Sequence, residues 1–157
     1  MYSHSSLRSH LVEQLAGQNA HVGLDKAVAG LKTKETGIIP TGCTHSIWMQ
    51  VEHIRIAQHD ILDFSRNPDY TPLSWPEDYW PRESSPQSKD QWEQTLAAIT
   101  TDLDEMVDLV KEEENDLLEP IPHGDGQTLL REAMLIVDHN AYHIGQIVQL
   151  RKIMGNW

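Results

Sequence analysis

From Trp92 onward, apolar residues recur at spacings of three and four: Leu96, Ile99, Leu103, Met106, Val110 and Leu117 continue one stripe. The faces between them carry Asp102, Asp104, Asp108, Lys111 and Glu112–Glu114. Ser88 and Gln91 have the spacing of a capping box, and Pro120 and Pro122 stop the pattern. This spacing predicts an amphipathic helix over about 88–118. A second stripe, over about 127–153, runs through Leu129, Ala133, Ile136, Asn140, His143, Ile147, Leu150 and Met154, with two polar residues in its seam. A third, from Thr44 to about Arg66, sets Ile47, Val51, Ile54, Ile61 and Leu62 on one side and closes at Asn67-Pro68. Leu7, Leu11 and Leu15 mark a shorter helix from about Ser5 to Gln18, and a helical turn or two over Leu24–Leu31 links it onward.

No stretch alternates at period two for long enough to predict a strand. Four amphipathic helices with short or medium connections predict an all-α, antiparallel four-helix bundle, one domain over residues 1–157. The exception is the long connection from Asn67 to about Gln87, between the second and third long helices. It holds Tyr70, Trp75, Tyr79 and Trp80 among five prolines. These aromatics are expected to pack over a bundle end rather than to act as a lid on a site.

Composition narrows the class. Lys plus Arg number 12 against 24 Asp plus Glu, a formal net charge of −12. That balance argues against a nucleic-acid partner, which requires clustered basic residues. The longest unbroken apolar run, Ala133–Val137, is too short for a membrane span. Met1-Tyr2-Ser3-His4 has no basic-then-apolar pattern, so a cytoplasmic location is expected. One cysteine, Cys43, excludes an internal disulfide framework and a cysteine-rich zinc site. Nine histidines are the anomaly.

His139 and His143 form H-x-x-x-H on the last helix, where residues four apart share one face. Both imidazoles can reach one metal ion, although the motif alone is read equally well as two edge histidines satisfied by hydrogen bonds. The glutamate of the H-E-x-x-H protease motif is missing. On the Thr44–Arg66 helix, His53 falls at the stripe edge as His139 does, roughly 100° from Ile54, whereas His45 and His59 fall towards solvent. Three neutral imidazoles from His53, His139 and His143 would hold a divalent ion with positions left open, the catalytic rather than the structural pattern.

The run His45-Ser46-Ile47-Trp48-Met49-Gln50-Val51-Glu52-His53-Ile54-Arg55-Ile56-Ala57-Gln58, continuing to Asn67, resembles the second helix of the DinB/YfiT-like family. Trp75-Pro76-Glu77 with Tyr79-Trp80-Pro81 resembles the loop that follows it, and Asp138-His139-Asn140-Ala141-Tyr142-His143-Ile144-Gly145-Gln146-Ile147 resembles its final helix. The resemblance implies a four-helix bundle, commonly a homodimer, with a divalent metal on three histidines that fall here on His53, His139 and His143. His59 departs from the large aromatic residue of close relatives and stays in view as a competing ligand. Members include thiol-dependent transferases and isomerases, and many are described as metal-dependent hydrolases. The resemblance therefore implies the metal more strongly than the reaction.

The expected function is a metal-dependent hydrolase or thiol-dependent S-transferase acting on a small molecule; the rival is a non-catalytic, metal-binding stress-response dimer. Imidazole suits zinc, nickel, copper and iron, with zinc or nickel expected, and a low-molecular-weight thiol is a candidate cosubstrate. Glu132, two turns before His139, reads first as an exposed helix glutamate and second as a general base. Gln146, three after His143, is a candidate hydrogen-bond partner of a ligand, and Asn140 a buried polar residue that sets register. Cys43 before Thr44, a plausible N-cap, is a weak nucleophile candidate. Arg55, Arg66 and Arg131 are open to an anionic cosubstrate.

Overall fold

The computed structural model describes residues 4–17 and 20–157. Among these, six α-helices follow in order: α1 (His4–Leu15), α2 (Leu24–Val28), α3 (Thr33–Thr36), α4 (Ile47–Arg66), α5 (Lys89–Lys111) and α6 (Leu129–Met154). A 3₁₀ turn at Glu77–Tyr79 interrupts the connection between α4 and α5. The protein is an all-helical bundle in which α4 packs on α5 and α6, and α1 packs on α5 and α6. No helix among the described residues is long and apolar enough to cross a membrane.

The stripes bury as two apolar clusters. One gathers Leu11 and Leu15 of α1 with Leu62, Met106 and Ile136; the other gathers Ile47, Trp48 and Ile54 with Trp92, Ile99 and Ile147. At the junction, Gln58 is fully buried, donates to the Ile99 carbonyl at 2.7 Å and accepts from Asn140 Nδ2 at 2.7 Å. One amide thereby ties α4 to α5 and α6 at a single register, which is the role expected for Asn140 in the seam.

Three boundaries differ from the sequence reading. α5 stops at Lys111, because Glu112 turns extended and the last carbonyls find partners elsewhere. Arg8 of α1 donates to the carbonyls of Val110, Glu112 and Asn115, and Asn115 Nδ2 donates to that of Leu109 at 3.0 Å. Leu117 is still fully buried, but from irregular chain. α4 begins at Ile47, capped by Ser46, whose Oγ accepts from Met49 N at 3.1 Å, so Thr44 is not its cap and Cys43 is not at its N-terminus. At α5, Ser88 Oγ accepts from Gln91 N as the capping box requires, but the Gln91 side chain accepts from Gln87 N, one residue upstream. α1 ends at Leu15; its expected end, Gln18, lies outside the described residues.

Candidate metal centre

Helix spacing brings three imidazoles to one point. His139 and His143 stand one turn apart on α6, and His53 faces them from the stripe edge of α4. Each offers a ring nitrogen, and these nitrogens lie within 4.8 Å of one another. His53 and His143 are buried, at 3% and 6% exposure, while His139 is half-buried and gives the cluster its wetter side.

Hydrogen bonds set the tautomers. His53 Nδ1 lies 2.7 Å from the Tyr79 carbonyl, which can only accept, so Nδ1 carries the proton and Nε2 presents its lone pair. His143 Nδ1 donates to Gln50 Oε1 at 2.6 Å, which leaves its Nε2 in the same state. His139 Nε2 faces His53 Nε2 at 3.0 Å, and His139 Nδ1 is buried with no partner. In the metal-free chain His139 Nε2 can donate to the His53 Nε2 lone pair, and a shared cation would take the place of that proton. With metal–nitrogen bonds of about 2.0–2.1 Å, neighbouring ligand nitrogens stand roughly 3.0–3.4 Å apart, a range that the 3.0 Å His53–His139 separation meets.

The electrostatics agree. Burial lowers the His53 pKa below its usual value, against a smaller rise from the Tyr79 carbonyl. His139 is pushed down to about 4, by burial and then by neighbouring His53. His143 falls to about 3, by burial and then by His139 and His53. All three rings are therefore neutral at neutral pH, the form that ligates metal.

The residues that hold these histidines come from unexpected places. Trp80 lies flat on the His53 ring, with centroids 3.9 Å apart and planes 1° apart, and His45 stacks near its other face at 4.2 Å. The end of the long connection, at Tyr79 and Trp80, thus packs on the histidine cluster, where a backbone carbonyl and an indole face are both engaged. Tyr142, 64% exposed, meets His143 edge-on at the open side.

A family model for the DinB superfamily matches residues 19–147. The chain belongs to the DinB superfamily. No curated protein and no solved structure matches it. Within this DinB protein the other sequence candidates fall outside the cluster. His59 pairs with Asp102 Oδ2 at 3.1 Å, and exposed His123 donates to the Phe64 carbonyl at 2.7 Å. His45 is half-buried against Trp80 instead of facing solvent, with Nδ1 2.8 Å from Thr44 Oγ1.

Glu132 is buried at 2% exposure, contrary to its reading as a surface glutamate, and accepts from Arg131 Nη1 at 2.6 Å. Arg55 is held by Glu52 at 2.7 Å and Arg66 by Glu105, so each of the three candidate arginines has a carboxylate partner. Gln146 is exposed, and its expected place beside a ligand is taken by Gln50. Gln50 went unnoticed in the sequence. Its signal was a polar residue three before His53, beside Val51 on an otherwise apolar face.

Proposed function

We propose that His53, His139 and His143 hold one divalent metal ion, and that this DinB protein is a metal-dependent enzyme for hydrolysis or thiol S-transfer on a small molecule. The observation that carries the reading is the convergence of three ring nitrogens within 4.8 Å, two of them locked with lone pairs inward. An all-nitrogen donor set suits zinc or nickel. Three neutral ligands leave the ion's charge uncompensated, and such an ion supplies activation of water or of a low-molecular-weight thiol near neutral pH.

The protein's own part is orientation and access. The Tyr79 carbonyl and Gln50 fix two ring tautomers, and Trp80 excludes water from one face of His53. Half-buried His139 beside exposed Tyr142 leaves a side for substrate. The Trp80 stack also favours the second reading, a non-catalytic metal-binding dimer, since it covers a ligand ring. Assembly as a homodimer is supported by Met134 and Ile153, exposed on α6, with Trp157 exposed beyond its end. Sedimentation at micromolar concentration should show a dimer; a monomer there defeats that part.

Elemental analysis and metal titration test the site. Structural zinc binding of about 10–16 kcal/mol over four ligands is roughly 3 kcal/mol per ligand, or about a hundredfold in affinity. His53→Ala, His139→Ala and His143→Ala should each lose that much, while His59→Ala and His123→Ala stay near wild type. Metal-loaded protein that turns over neither esters nor thiol conjugates would favour the non-catalytic reading; no stoichiometric metal would sink both.

A further inference from the structure

Asp60 stands seven residues after His53 on α4, about 10.5 Å further along at the helical rise. Its two carboxylate oxygens are both engaged: Tyr70 donates to Oδ1 at 2.8 Å and Tyr79 to Oδ2 at 2.6 Å. One side chain therefore fastens the long connection at two points, ten and nineteen residues downstream. Between those points residues 71–78 are exposed, so no buried side chain there holds the segment in place. Burial and the neighbouring Asp60 carboxylate push both phenols well above their ordinary pKa, so each remains a donor. From the same Tyr79 whose hydroxyl is fastened, the backbone carbonyl accepts from His53 Nδ1, and the next residue, Trp80, lies on the His53 ring.

We propose that Asp60 is a positioning residue for His53: by holding Tyr70 and Tyr79 it sets the Tyr79 carbonyl on Nδ1 and the Trp80 indole on the ring. Its functional consequence rests on the metal-ligand reading of His53; its geometry does not. Without the fastening, the connection loses its fixed height over α4, and His53 loses the acceptor that keeps its Nε2 free of a proton. Ligand affinity then falls although no ligand has been touched.

The test uses Asp60→Ala, with Tyr79→Phe as the smaller perturbation that removes one hydroxyl and keeps the ring. In metal-free protein, solvent exchange of the His53 Nδ1–H proton, followed by nitrogen-edited NMR, should quicken about tenfold or more. The His143 Nδ1–H proton on Gln50 is the internal control and should not change; a merely loosened bundle would quicken both. Zinc titration should show affinity reduced about ten- to a hundredfold. If wild type takes up no zinc but the His53 proton alone quickens, the positioning role stands and the metal reading falls. Unchanged exchange at His53, or equal quickening at His143, overturns the proposal.

Discussion

Gln50→Leu replaces a hydrogen-bond acceptor with an apolar side chain of similar length, at a residue only 6% exposed. In wild type the Gln50 Oε1 takes the His143 Nδ1 proton at 2.6 Å, so His143 presents an unprotonated Nε2 to His53 and His139. Leucine leaves that proton buried without a partner, a cost of about 1–3 kcal/mol, partly offset by about 1 kcal/mol from the added apolar burial. The metal-free protein should therefore lose roughly 0–2 kcal/mol in urea unfolding. Binding should suffer more. The ring is free to move its proton to Nε2 or to swing away, and loss of an outer partner of a ligating histidine typically costs about ten- to a hundredfold in affinity. That range is about 1.4–2.7 kcal/mol. Zinc titration by calorimetry, with a competing chelator where binding is tight, reads the change. Gln146→Leu, at an exposed residue, is the control and should bind as wild type does. A zinc affinity within about twofold of wild type in Gln50→Leu would refute the tautomer argument.

Two further predictions concern pH and the buried network. His139 and His143 titrate at about 4 and about 3 in the folded chain, against about 6.5 when unfolded, so protons are taken up first by the unfolded state. The stability of chelator-treated protein is then full above about pH 6.5 and declines as pH falls towards 4 and 3. The steepest slope approaches about 1.4 kcal/mol per pH unit per histidine; urea midpoints from pH 7.5 to 4.5 check this, and no smaller decline in His139→Gln/His143→Gln would count against it. Because all three ring pKa values are lowered, zinc affinity should begin to fall at a lower pH than at a site of unperturbed histidines, which loses ligands to protons near about 6.5. Gln58→Leu removes bonds to the Ile99 carbonyl and to Asn140 Nδ2, and strips the Asn140 amide of its partner on α4. A loss of roughly 2–4 kcal/mol in urea unfolding is expected, and less than about 0.5 kcal/mol would show the junction to be slack.

Much of this was legible along the chain because helical periodicity is local. Residues three and four apart share a face whatever surrounds them, so the stripes through Ile47–Leu62, Trp92–Val110 and Leu129–Met154 announced their helices, and the wheel singled out His53, His139 and His143. End points were less legible. The α5 stripe ran on to Leu117, and the carbonyls where the helix stops are taken by Asn115 and by Arg8, the latter more than a hundred residues away. Burial of Glu132 was likewise invisible, since a glutamate in a first helical turn looks the same whether its partner is water or Arg131.

What the sequence determined by itself was the set of long helices, though not the short α3 at Thr33–Thr36, and the residue types able to ligate a metal, because both follow from spacing within one element. The tertiary structure decided how those rings are held. His53 receives its acceptor from Tyr79, 26 residues away in an irregular connection, and His143 from Gln50, 93 residues away on another helix. No periodicity encodes such partners. They exist only where folding brings a carbonyl or an amide to a ring nitrogen in surroundings dry enough that water does not replace them, and that dryness is a property of the packed bundle.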